Sequence, residues 1–184
     1  MRLKVCGTGI TEVLVIEPQV HSDDRGFFYE SFNEKGFCEA IGSDLKFVQD
    51  NHSSSLMNVL RGLHYQLKKP QGKLVRVISG AIYDVAVDIR QGSPSFGDYI
   101  GLELSAVNKR QIWIPEGFAH GFLAISERAE VLYKTTDYYA PEEERSIIWD
   151  DPTINIDWPL PSNQPILSVK DSNGALLKNA ELSP

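Results

Sequence analysis

The chain has only two cysteines in 184 residues, Cys6 and Cys38, and they lie far apart. Without a CxxC pair or a dense cysteine framework, a disulfide-stapled scaffold and a thiolate zinc site are excluded. Reduced thiols, the usual state in a cytoplasmic protein, are the expectation. Histidine is scarce too, with four copies. Positive charge falls short of negative, 18 Lys and Arg against 25 Asp and Glu, for a formal charge of −7. That balance lacks the dominant basic face needed for general binding to nucleic acid or a membrane surface. Near the N-terminus the apolar run Val13-Leu14-Val15-Ile16 is too short for a signal-peptide core and far below transmembrane length. Export and membrane anchoring are therefore not expected, and a cytoplasmic location is. Linker-like composition, internal repeats and low-complexity tracts are also missing. With 42% hydrophobic residues, the chain suits one domain over 1–184 with a sizeable core.

What is present is a succession of short segments rich in Val, Ile, Phe, Tyr and Trp, separated by Gly, Pro, Ser and Asn. Residues 12–17, 26–32, 46–51, 58–66, 73–79, 81–89, 98–104, 110–114, 121–125, 129–137 and 146–149 read as strands. Ser79-Gly80-Ala81 is a tight hairpin turn. Residues 33–41 form the best internal helix, capped by Asn33, and 172–177 add a turn or two near the end. Many strands and little helix predict an all-β, double-sheet jelly roll with a few short helices. The proline-rich stretch 159–165 follows Trp149 and Trp158 and reads as a tail wrapping the barrel. Gly7-Thr-Gly9 begins like a dinucleotide fingerprint, but it lacks the third glycine and a preceding strand.

Two segments place ionisable side chains inside otherwise apolar strands: Arg61-Gly-Leu-His64-Tyr-Gln66 followed by Gln71-Gly-Lys73, and Ile114-Pro-Glu-Gly-Phe-Ala-His120-Gly-Phe122. Buried ionisable groups are costly unless paired, so their clustering marks a candidate active site. His21 and His52 sit among Ser, Asp and Asn and read as solvated-loop residues. Pro115, Gly117 and His120 fit the second half of a cupin metal site, Pro-x-Gly-x-x-His. The first half fails, because Gln66 stands where a ligand should and Lys73 brings a charge that repels a cation. Two histidines beside a lysine suit an anion better than a metal, and Arg25, Arg61, Lys73, Arg76 and Lys170 can supply a local basic pocket.

Longer strings extend this pattern. Val59-Leu-Arg-Gly-Leu-His64-Tyr-Gln66, Gln71-Gly-Lys-Leu-Val-Arg76, Asp84-Val-Ala-Val-Asp88-Ile-Arg90, Ser93-Pro-Ser-Phe-Gly97 and Trp113-Ile-Pro-Glu-Gly-Phe-Ala-His-Gly-Phe122 together resemble the dTDP-4-dehydrorhamnose 3,5-epimerase family. Phe47-Val-Gln-Asp-Asn-His52 and Trp149-Asp-Asp-Pro152 carry the likeness over nearly the whole chain. The resemblance implies a homodimeric, metal-free cupin-type jelly roll without a cofactor. Its substrate would be dTDP-4-keto-6-deoxyglucose, inverted at carbons 3 and 5 on the route to dTDP-L-rhamnose.

It also implies roles. His64 becomes the general base, in keeping with the acidity of hydrogens flanking a ketone and with imidazole chemistry near neutrality. Asp171 orients this histidine, with Asp84 a second candidate. Lys73 faces the developing oxyanion, and Tyr133 returns a proton on the opposite face. Arg61 and Arg25 take the diphosphate. Glu30, Gln49, Asp50 and Asn51 surround the nucleotide, Tyr138 stacks on thymine, and Glu144 and Lys170 contact substrate. His120 hydrogen-bonds a sugar hydroxyl or the oxyanion.

Plainer readings stand beside these: a satisfied core histidine for His64, a helix cap for Asp171, a surface hairpin lysine for Lys73 and core packing for Tyr133. Three rival functions remain open in the sequence. They are a single-carbon epimerase of a related 4-keto sugar, a catalytically silent nucleotide-sugar-binding cupin, and a metal-dependent cupin enzyme.

Overall fold

The computed structural model describes residues 3–161 and 164–182. Two antiparallel sheets face one another. The larger runs in the order β1 (Lys4–Gly7), β2 (Leu14–Glu17), β10 (Gln111–Ile114), β7 (Lys73–Ser79), β12 (Arg128–Thr135) and β5 (Gln49–Leu56). The smaller runs β13 (Glu144–Ser146), β6 (Leu60–Gln66), β11 (Phe118–Ala124), β8 (Ala81–Asp88) and β9 (Tyr99–Ser105). A separate exposed hairpin pairs β3 (His21–Asp23) with β4 (Gly26–Phe28). This is the expected double-sheet jelly roll.

Alternation along the strands divides the apolar side chains among three clusters. Val75, Val77, Ile82, Ala86, Ile112, Ile114, Phe118, Phe122 and Val131 point between the sheets. The opposite faces of β6, β8 and β11 send Leu63, Val85, Val87, Ala119 and Leu123 outward, where Ile147, Ile154, Trp158 and Leu177 of the C-terminal segment cover them. Trp158 donates its indole N–H to the Trp149 carbonyl at 2.9 Å, which anchors the wrap expected of this tail. Within the 159–165 stretch, Ser162 and Asn163 lie outside the described residues. On the outer face of the larger sheet, Leu74 and Trp113 pack against Phe37 of helix α1 (Glu34–Ile41). Asn33 caps α1 as expected, its side chain accepting from the Gly36 N–H at 2.9 Å. No helix among the described residues is long and apolar enough to cross a membrane.

Several expectations need correction. A strand, β1, does precede Gly7, but it forms an antiparallel hairpin with β2 and no helix follows, so the dinucleotide reading still fails. His52 lies on β5 and His21 on β3, both exposed strand positions rather than loops. Strand β5 extends to Leu56 through Asn51-His52-Ser53-Ser54-Ser55, and the expected segment 26–32 is instead the short β3–β4 hairpin. Helix at 172–177 is replaced by α2 (Val169–Ser172) and a 3-10 turn, Leu177–Asn179.

Two glycines permit close approaches that matter below. Gly62 has φ of 118°, and a Cβ there would fall 2.6 Å from the Gly121 Cα, so β6 and β11 touch beside the site. A Cβ on Gly174 would fall 2.6 Å from the Ile148 nitrogen, so a side chain there would push the C-terminal segment away from the barrel.

Candidate active site

Register brings the two motif histidines together, since His64 on β6 and His120 on β11 are Cα partners. Both line a cleft of about 330 Å³ to which both sheets contribute. From the smaller sheet and its edge strand come Arg61, His64, Gln66, His120 and Glu144. From the larger sheet come Gln49, Asn51, Lys73 and Tyr133, and Tyr139 and Lys170 close the rim. His64 and Tyr133 therefore stand on opposite walls.

The His64 Nε2 lies 2.5 Å from an Asp171 carboxylate oxygen, which also accepts the Gly62 N–H at 3.3 Å. Asp171 is buried. Burial pushes its carboxyl pKa upward, but hydrogen bonds from His64 and Ser168, with the charge of His64, hold it below the ordinary range. Asp171 sits within α2, and the residue that caps this helix is Ser168, so the capping reading of Asp171 is replaced. Donating Nε2–H to a carboxylate leaves Nδ1 of a neutral imidazole with its lone pair.

Asp84, the second candidate for orienting His64, is fully buried and engages His120 instead, with oxygens 2.9 and 3.1 Å from Nε2. That nitrogen of His120 is consequently committed to Asp84, which leaves the other ring edge for the cleft. Lys73 is buried, not a surface hairpin residue, and its Nζ contacts the Gln71 carbonyl at 3.4 Å. Burial lowers its pKa to about 8, opposed by the charges of Asp84 and Glu144. The Tyr133 phenol is pushed up by burial, against the charge of Arg61 and with that of Glu144, so it stays protonated at neutral pH.

Arg61 rests on the Ser55 hydroxyl at 3.0 Å and the Ser54 carbonyl at 3.3 Å. Among the described residues no carboxylate is paired with it, so its charge is available to an anion. Glu144 accepts from Lys170 at 2.7 Å and from the Tyr139 hydroxyl at 2.9 Å.

Other expected contacts do not converge here. Arg25 on the exposed hairpin pairs with Asp23. Glu30 contacts Asn33. Asp50 faces the other side of β5 and pairs with Lys134. Tyr138 and Tyr139 are both exposed, and of the two it is Tyr139 that lines the cleft. Gln71 and Phe122 also line it, and both lay in quoted motifs without an assigned part. No three His, Cys, Asp or Glu side chains among the described residues are grouped to hold a metal ion. Cys6 and Cys38 are free.

Comparison with known proteins agrees with this geometry. The model of the dTDP-4-dehydrorhamnose 3,5-epimerase family matches residues 7–179. A dTDP-4-dehydrorhamnose 3,5-epimerase of Pseudomonas aeruginosa is 56% identical over 182 residues, covering 99% of this chain and all of that one. The crystal structure of a dTDP-6-deoxy-D-glucose-3,5-epimerase from Legionella pneumophila, in complex with dTDP-4-keto-L-rhamnose, superposes with a TM-score of 0.95. It is 53% identical and the match covers 98% of this chain and 95% of that one. More distant is a 3′-monoepimerase from Streptomyces bikiniensis in complex with dTDP-quinovose, with a TM-score of 0.87 and 34% identity over 97% of this chain and 88% of that one. By sequence and by fold, the chain belongs to the dTDP-4-dehydrorhamnose 3,5-epimerase family of isomerases.

Proposed function

We propose that the protein inverts carbons 3 and 5 of dTDP-4-keto-6-deoxyglucose, giving dTDP-4-keto-L-rhamnose. The observation that carries this reading is the placement of His64 and Tyr133 on opposing walls of one cleft, with buried Lys73 beside them. Inversion needs a proton removed from one face of the ring and another delivered to the opposite face. His64 takes the proton from a carbon next to the ketone, and the C–H electron pair becomes the enolate double bond. Negative charge passes to the 4-oxygen, where the Lys73 ammonium stabilises the transition state more than the ketone. Tyr133 then protonates the carbon from the other side. Exchange with solvent restores His64 and Tyr133 before the second carbon reacts.

The stereochemistry of the product tests this directly. Proton couplings around the ring should report inversion at both carbons. Inversion at carbon 3 alone would instead favour the single-carbon activity of the monoepimerase relative.

A metal has no part in these steps. The two histidines are committed to carboxylates through Nε2, and an ammonium sits beside them. Chelation should leave turnover unchanged, and metal-restored activity after chelation would refute this.

Lys73 must be charged to act, which fixes the alkaline side of the pH profile. The kcat/KM profile should fall above a pKa of about 8. In Lys73→Arg any residual activity should lose that limb, because guanidinium stays protonated. A wild-type profile flat to pH 10 would remove the lysine from this role. The same group should make stability rise with pH from about 8 toward 10.5. In that window the unfolded lysine holds more protons than the folded one, and below it the cost of burying the charge is fully present.

Diphosphate binding falls to Arg61. Arg61→Ala should weaken dTDP and substrate by a similar factor, because the diphosphate is unchanged by the reaction and its binding is uniform. Unaltered dTDP affinity, measured by calorimetry, would move the diphosphate elsewhere.

In this reading the protein is a cytoplasmic homodimer. Arg25 and Glu30 lie outside this chain's own cleft, on or just after a hairpin that exposes Phe27 and Phe28. A second copy covering that hairpin would bring them to substrate.

A further inference from the structure

Helix α2 is four residues long, yet it carries the carboxylate on which His64 depends. Its first residue outside the helix, Ser168, makes two hydrogen bonds to the same aspartate. The hydroxyl accepts the Asp171 backbone N–H at 3.1 Å and donates to the second carboxylate oxygen, Oδ2, at 2.7 Å. Oδ1 is thereby left to His64 and the Gly62 N–H. The carboxylate is fixed at both oxygens, from the helix start on one side and from β6 on the other.

We infer that Ser168 is a positioning residue of the epimerase: its hydroxyl locks the Asp171 carboxylate in the rotamer that holds His64 with Nε2 protonated and Nδ1 free as the base. This rests on the reading of His64 given above. The physical reason is rotational. A terminal carboxylate torsion is soft, so a carboxylate fixed through one oxygen can swing and let the imidazole change tautomer. Anchoring the second oxygen removes that freedom before substrate arrives, which is the preorganisation an active-site base requires. Together with Asp171 and His64, the serine completes a chain from an exposed backbone turn to the cleft. Glu144 and Lys170 do not duplicate this contact, since their ion pair and the Tyr139 hydroxyl occupy the rim.

Three variants separate positioning from simple helix capping. Alanine removes both the cap and the carboxylate contact. Glycine removes the hydroxyl but caps a helix almost as well as threonine. Threonine keeps the hydroxyl. Solvent-deuterium exchange into dTDP-4-keto-6-deoxyglucose should show kcat reduced about tenfold in both Ser168→Ala and Ser168→Gly, the order seen when an outer partner of an active-site group is lost. KM and dTDP affinity should be unchanged, and Ser168→Thr should restore the rate. Nitrogen-15 NMR of labelled histidine reads the same contact without turnover. His64 should be the Nε2–H tautomer in the wild type and a mixture of tautomers in the Ala and Gly variants. This second measurement decides the inference even if the protein were to epimerise nothing. Wild-type activity in Ser168→Gly, equal loss in Ser168→Thr, or an unchanged His64 tautomer would each overturn it.

Discussion

Replacing His64 by alanine is expected to lower the rate of deuterium incorporation at both carbons by about 10²- to 10⁴-fold, the usual worth of a positioned base. The loss should fall on both carbons together, because in this reading the same base, His64 backed by Asp171, serves each carbon. His120 should not substitute, since in this reading it hydrogen-bonds a sugar hydroxyl or the oxyanion and does not abstract the proton. The thymidine diphosphate should still bind the variant, as Arg61 and the polar face of β5 are untouched. Exchange retained at one carbon in His64→Ala would assign that carbon to another base. Asp171→Asn should be nearly as damaging, because an amide can offer its N–H to Nε2 and so favour the wrong tautomer.

Tyr133→Phe should separate exchange from inversion. The ring packs against the core beneath the cleft, and phenylalanine retains that contact. What it loses is the donor on the wall opposite His64. The base can still remove a proton and return one from solvent to the same face, so deuterium should enter the substrate. Inverted product should decline by about 10²-fold or more. Normal inversion in the variant would exclude Tyr133 as the acid. Exchange falling in step with inversion would show that the hydroxyl is also needed to form the enolate, a second duty that the geometry does not require.

Much of this was legible in the sequence, and the gaps have physical causes. Strand β7 follows its β-branched run to the residue, 73–79, because its first five residues are buried or half-buried and only Ile78 and Ser79 are exposed. Strand β5 was displaced because Asn51-His52-Ser53-Ser54-Ser55 is polar, and polar runs read as loops. Here one face of that run lines the cleft and the other meets solvent, so no apolar alternation survives. The start of β11 was hidden by Pro115 and Gly117, although Phe118 and His120 already point between the sheets.

Within the site, Arg61, His64, Lys73 and His120 announce themselves as charges set in apolar strands. Asp171 lies 107 residues from His64, and only family resemblance linked the two. Which carboxylate serves which histidine depends on strand register. Asp84 is two pairs along from His120 on the β8–β11 ladder and so shares its face, which lets it serve that histidine. Tyr138 and Tyr139 are neighbours beyond the end of β12, where no periodicity states which one reaches the rim of the cleft.

The central claim is that one histidine deprotonates both carbons flanking the ketone. Proton NMR of dTDP-4-keto-6-deoxyglucose with the wild-type protein in heavy water tests it most directly. The account predicts loss of the carbon-3 and carbon-5 proton signals, retention of every other carbon-bound ring proton, and neither loss with His64→Ala. Signals at both positions that persist while the wild-type protein binds the nucleotide sugar would contradict it and leave a binding protein in place of an epimerase.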